Sequence, residues 1–97
     1  MKHKIILHVE AEEEILEALE WYAERSLLAA RAFVQEMMSM VVLADRSPGT
    51  WPKSFGNTRR IVFPHYPFDL VFRMQGETLE ILAVAHQRRR PFYWRNR

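Results

Sequence analysis

The segment "TLEILAVAH", residues 78–86, restricts the fold more than any other part of the chain. Side chains alternate across a strand, so Leu79, Ile81 and Ala83 fall on one side of it and Leu82 and Val84 on the other. A strand that is apolar on both faces belongs in the middle of a sheet, covered above and below. Neighbours are at hand. "TRRIVF" (58–63) and "FDLVFRM" (68–74) have strand character and are joined by the turn "PHYP", while "QGE" forms a hairpin loop in which Gly76 takes a positive φ. "KIILHV" (4–9) supplies an earlier strand with Ile5, Leu7 and Val9 on one face.

Between these strands the period becomes helical. Ala11, Ile15, Leu19 and Tyr22 recur every three to four residues, and Glu10, Glu12, Glu13 and Glu14 crowd the first turn, where the helix dipole favours negative charge. The simplest account of that acidic run is a solvated helix start. Ser26 is placed to cap a second helix with the stripe Ala30, Phe33, Met37, Val41 and Ala44, which "SPG" (47–49) ends. A loop follows, with Trp51 and Phe55 as aromatic anchors. The expected architecture is α+β, one domain over residues 1–97 in the order β-α-α-β-β-β, with a helical hairpin on one face of an antiparallel sheet. Nothing in the chain is reserved for the other face, so an apolar patch covered by a partner is expected there.

Composition narrows the function. The chain has no cysteine, which removes disulfides and thiolate metal sites. The four histidines, His3, His8, His65 and His86, lack metal-ligand spacing, and there is neither a glycine-rich phosphate loop nor a nucleophile elbow. No cofactor or metal is expected. The apolar run after the first lysines is too short for a signal sequence, and no run of about 18 apolar residues occurs, so a cytoplasmic protein without a membrane partner is expected. Charge is divided unevenly. Residues 1–50 hold nine acidic and five basic groups, a net −4, and residues 51–97 hold three and nine, a net +6. The second half is the side for an acidic partner or an anion.

That positive charge concentrates in "RRRPFYWRNR", residues 88–97, five arginines in ten positions with three aromatic rings among them. Guanidinium groups bind phosphate and carboxylate bidentately, and rings between them stack on bases or anchor protein interfaces. The candidate target- or partner-binding set is Arg59, Arg60, His86, Arg88, Arg89, Arg90, Phe92, Tyr93, Trp94 and Arg95. A plainer alternative has Phe92 and Trp94 sealing the open end of the sheet.

The stretch "RRIVFPHYPFDLVFRMQGETLEILAVAHQRRRPFYWRNR", following "EEEILEALEWYAERSLLAARAFVQEM", resembles the RelE/ParE superfamily, the toxins of type II toxin-antitoxin modules. The likeness covers nearly the whole chain and is most specific at the "FP" before the middle strand, "LAVAHQRRRP" and the terminal "YW". It implies the β-α-α-β-β-β fold and a cognate acidic antitoxin lying across the uncovered surface. The toxin alone or with its antitoxin then forms a homodimer or a heterotetramer, by analogy only. Two activities belong to the superfamily: RelE-like members cut mRNA in the ribosomal A site, and ParE-like members bind and block DNA gyrase.

Cleavage by the RelE-like pattern implies a proton acceptor for the 2′-hydroxyl, cations for the phosphorane and an acid for the leaving oxygen. On this chain Arg60 and Arg88 match two basic positions, whereas Tyr93 is one residue out of step with the pattern's tyrosine. Val62 replaces a further basic residue, and Asp69 stands where an arginine is expected. A carboxylate about 5 Å from a scissile phosphate repels it by roughly 3 kcal/mol at an effective dielectric near 20. The incomplete set favours the ParE-like, gyrase-binding reading, with Arg60, Arg88 and Tyr93 as the catalytic set of the nuclease alternative. A third reading is a module that has lost toxicity and serves as antitoxin partner and co-repressor.

Overall fold

The computed structural model describes residues 1–97. Its elements are β1 (Lys4–Leu7), α1 (Val9–Arg25), α2 (Leu27–Arg46), β2 (Arg59–Val62), β3 (Phe68–Gln75) and β4 (Thr78–His86), with one 3-10 turn at Pro48–Thr50. The helix boundaries have local causes. The His8 ring accepts a hydrogen bond from Glu10 N–H at 3.1 Å, which makes His8 the N-cap of α1 rather than the end of β1. Ser26 serves both helices: its N–H donates to Tyr22 C=O at 2.8 Å, and its Oγ accepts from Ala29 N–H at 3.1 Å.

The hairpin packs one face on the sheet around Phe33, which is fully buried. Its ring lies 5.3 Å from that of Phe68, 5.5 Å from Tyr22, 5.6 Å from Tyr66 and 6.3 Å from Phe63. Ala11 and Ala18 bring α1 close to β4, and Met40, Val41 and Ala44 complete the stripe of α2. By length and composition α2 would qualify as a membrane span, but its apolar stripe forms the core. Asp45, at its end, is buried and accepts from Lys2 N–H (2.6 Å), His3 N–H (2.8 Å) and the His3 ring (3.0 Å), tying down the N-terminus.

The sheet order is β1-β4-β3-β2. The three late strands are antiparallel, as expected, and β4 is central. β1 differs, running parallel to β4 and so making the sheet mixed. A parallel neighbour needs a long crossover, and the helical hairpin with β2 and β3 provides it.

A bulge changes which faces the β4 side chains occupy. Val71 pairs with Ala83 and Phe72 with Ile81, leaving Leu82 without an opposite residue. Val84 therefore joins Leu79 and Ile81 in the core under the hairpin, while Leu82 goes with Ala83 and Ala85 to the second face. The expected grouping of Ala83 with Leu79 and Ile81 is corrected by this one extra residue.

The expectation that this second face lies bare is also corrected. Trp94 folds back onto it and packs with Val71, Leu82, Ala83 and Ala85, with Tyr93 alongside. Two ion pairs flank the cluster: Arg73 Nε to Glu80 Oε1 at 2.8 Å and Arg60 Nη1 to Asp69 Oδ2 at 3.6 Å.

Candidate partner-binding site

β1 is shorter than β4, and the last backbone bond along their seam runs from His8 N–H to Ile81 C=O at 2.9 Å. The β4 edge beyond it is closed by side chains. Glu14 Oε1 accepts from Val84 N–H at 3.1 Å, and Arg97 Nη1 donates to Leu82 C=O at 2.9 Å. Glu14 is thus buried, unlike its acidic neighbours, which corrects the reading of the acidic run as solvated throughout. Arg97 Nη1 and Nη2 grip its carboxylate at 2.9 and 3.1 Å, and Tyr93 Oη donates to it. Glu10 Oε2 lies 3.4 Å from Arg97 Nε.

The tail that delivers these groups is a run of turns. Arg89 N–H donates to His86 C=O (2.9 Å), Tyr93 N–H to Arg90 C=O (3.3 Å), Arg95 N–H to Phe92 C=O (3.0 Å) and Arg97 N–H to Trp94 C=O (3.0 Å). Phe92 has φ 60°, left-handed backbone that a bulky residue adopts only where its surroundings hold it. The turns sort the tail into two halves. Tyr93, Trp94 and Arg97 point inward. Arg88, Arg90, Phe92 and Arg95 are exposed, and none of these three guanidinium groups lies within ion-pair distance of a carboxylate. Arg89 is exposed as well but engaged: it stacks 3.8 Å above the Tyr93 ring and stands 3.8 Å from Glu14. Burial first, and then the hydrogen bond to Glu14, raise the pKa of Tyr93.

An open groove of about 650 Å³ separates α1 from the end of β4 and the start of the tail. Tyr22, Phe68 and Val84 supply apolar surface, with exposed Trp21 at the rim, while His86, Arg88 and Arg89 form the opposite, basic wall. The His86 Nδ1 accepts from Arg88 N–H at 3.1 Å, so the neutral ring carries its proton on Nε2.

Of the expected set, His86, Arg88, Arg89 and Tyr93 line this groove together. Arg90, Phe92 and Arg95 are carried by the outward half of the tail. Trp94 is only 5% exposed and has no surface to offer a partner, in line with the plainer alternative for that residue. Phe92 is 45% exposed, and its ring meets Phe55 of the long loop at 5.6 Å. Arg59 is half-buried, donating to Trp51 C=O at 2.7 Å. Arg60 is held by Asp69, which also accepts from Gln87 Nε2 at 3.2 Å.

The nuclease set is not assembled. Arg88 and Tyr93 share the groove, but Arg60 does not line it and is paired with Asp69 elsewhere. The Tyr93 hydroxyl is committed to Glu14. Sequence reasoning missed Glu14, although a signal existed: it lies three residues after Ala11 and four before Ala18, on the buried stripe.

A helical hairpin on a sheet of this order, with an arginine-rich tail folded over the sheet's far face, is an α+β fold of the RelE/ParE kind. The profile of the family described as "ParE toxin of type II toxin-antitoxin system, parDE" matches residues 5–91, and the chain belongs to that family. A solved structure described as "Chromosomal ParDE TA system from P. aeruginosa" has the same fold, with a TM-score of 0.76 and 17% identity, covering 88% of this chain and 96% of that one. No curated protein matches the chain. The ParE-like branch expected from the residues is the one found.

Proposed function

We propose that this chain is the growth-arresting toxin of a ParE-type module, that it acts in the cytoplasm by binding DNA gyrase through the outward half of its tail, and that an acidic antitoxin neutralises it. The observation that carries this reading is that Arg88, Arg90 and Arg95 are exposed and without carboxylate partners in the same short segment as the exposed ring of Phe92. Arginine and aromatic side chains are the residues most often found at the energetic centre of protein interfaces. Their charge also accelerates capture of an acidic partner, an effect that weakens as salt rises.

The groove beside α1 suits the antitoxin. Its apolar surface accepts the buried side of an amphipathic segment, and Arg88 and Arg89 meet acidic residues on that segment's flank. A non-enzymatic mode of action agrees with the pairing of Arg60 to Asp69 and of Tyr93 to Glu14, because both pairings occupy groups that RNA cleavage would need free.

The test is a plasmid supercoiling assay with purified gyrase and the full-length chain. Inhibition that disappears when the antitoxin from the neighbouring reading frame is added is expected. Unimpaired supercoiling, together with cleavage of A-site mRNA on programmed ribosomes, would replace this reading with the nuclease.

A further inference from the structure

Glu14 takes all its hydrogen bonds from outside its own helix: from Val84 N–H on the β4 edge, from Tyr93 Oη and from both terminal nitrogens of Arg97. Tyr93 and Arg97 lie on either side of Trp94. The tail here has no helix or strand to stiffen it, yet Phe92, the residue directly before Tyr93, holds a strained φ of 60°. Trp94 fixes one point of this segment on the far face of the sheet. Glu14 fixes the residues flanking that point.

We propose that Glu14 is the positioning residue of the docking surface. By gripping Tyr93 and Arg97 together it sets the left-handed turn at Phe92, and that turn faces Phe92 outward together with Arg88, Arg90 and Arg95. The inference rests on the reading of the tail as the docking surface. The site requires a carboxylate because every group that meets Glu14 is a donor, and two charged oxygens can accept from all of them. An amide has a single acceptor oxygen and would point its NH₂ group at the remaining donors.

The family match ends at Pro91, so Glu14 lies inside it while Tyr93 and Arg97 lie beyond it. The grip therefore joins the family's helix to a segment outside the matched region.

The test uses the full-length chain carrying Glu14→Gln, with three readouts: the circular dichroism spectrum, the rate of trypsin cleavage after Arg88, Arg89 and Arg95, and growth arrest on induction. A retained spectrum is expected, with tail cleavage faster by about tenfold or more, because local opening sets the proteolysis rate. Growth arrest should weaken in parallel. Adding Arg97→Gln to Glu14→Gln should speed cleavage by less than Arg97→Gln does alone, because the two changes share the Glu14 contact while Arg97 keeps its bonds to Leu82 C=O and Glu10 until it is itself changed.

A tail as resistant to trypsin as the wild type overturns the proposal, and so does a loosened tail with undiminished arrest. Should Glu14→Gln fail to fold, Tyr93→Phe combined with Arg97→Gln releases the tail from the other side and must give the same two effects. The triple variant Arg88→Ala, Arg89→Ala, Arg90→Ala, assayed in the same strain, separates the two claims. If the triple variant arrests growth at full strength, the docking reading fails and the proposal falls with it. An inert triple variant beside a fully active Glu14→Gln overturns the proposal alone.

Discussion

Phe92 and Trp94 stand edge to face with ring centroids 6.0 Å apart, yet one is 45% exposed and the other 5% exposed. The left-handed backbone at Phe92 separates them, placing Trp94 on the sheet and Phe92 in solvent. The same segment thus anchors itself with one half and presents the other.

Trp94 belongs to the fold. Replacing it with alanine empties the cluster formed by Val71, Leu82, Ala83 and Ala85. A loss of about 3–5 kcal/mol is expected, the usual cost of truncating a buried tryptophan, measured by urea unfolding. Deleting residues 91–97 removes Arg97 as well and should be at least as damaging. Truncation therefore confounds loss of docking with loss of stability, and point changes are the cleaner probe.

Phe92 should behave in the opposite way. Glycine adopts φ 60° without strain, so Phe92→Gly gains from relief of strain what it loses in ring contacts with Phe55 and Trp94. Stability should stay within about 1 kcal/mol of wild type, while growth arrest falls clearly. A variant as toxic as wild type would remove Phe92 from the docking surface.

Removing either partner of Glu14 costs stability unequally. Arg97→Ala leaves the buried Glu14 carboxylate with only the more distant, exposed Arg89 and should cost about 3 kcal/mol. Tyr93→Phe removes one hydrogen bond to a charged group and should cost about 1.5–3 kcal/mol. Thermal unfolding of the two variants gives the order, and an Arg97→Ala milder than Tyr93→Phe would contradict it.

Acid sensitivity has two identifiable sources. Burial pushes the Asp45 carboxyl up, but the hydrogen bonds from Lys2 N–H, His3 N–H and the His3 ring outweigh it and hold its pKa below the ordinary value. Glu36 is similar: burial raises it, and His65 and Tyr66 lower it further than burial lifts it. Groups with depressed folded pKa values stabilise fully above the unfolded value of about 4, and that contribution is lost as the pH falls through the folded values. Asp45→Asn and Glu36→Gln should therefore melt below wild type at pH 7, and the gap should narrow as the pH drops below about 4.

Much of the architecture was legible in the residues. β4 was readable to its ends from the apolar run at 78–86, and the junction of the helices from Ser26, because capping and periodicity are local properties. What escaped was non-local or arose from one unpaired residue. The bulge at Leu82 sits inside an unbroken apolar run, where nothing marks a change of face. The parallel alignment of β1 depends on how the chain returns after the hairpin. Glu14 was masked by the glutamates around it, although its place on the stripe of Ala11 and Ala18 set it apart. Trp94 was legible as either contact or cover; the need to seal the second face of β4, with only the tail left to do so, decides in favour of cover.

The central claim is that the outward half of the tail binds the target without supporting the fold. Its most direct test is inhibition of gyrase supercoiling by the double variant Arg88→Ala, Arg90→Ala, with thermal unfolding followed on the same sample. The account predicts an unfolding midpoint close to that of wild type and inhibition weakened by at least about a hundredfold, a hot-spot loss near 3 kcal/mol. Inhibition at wild-type potency by a folded double variant would contradict it.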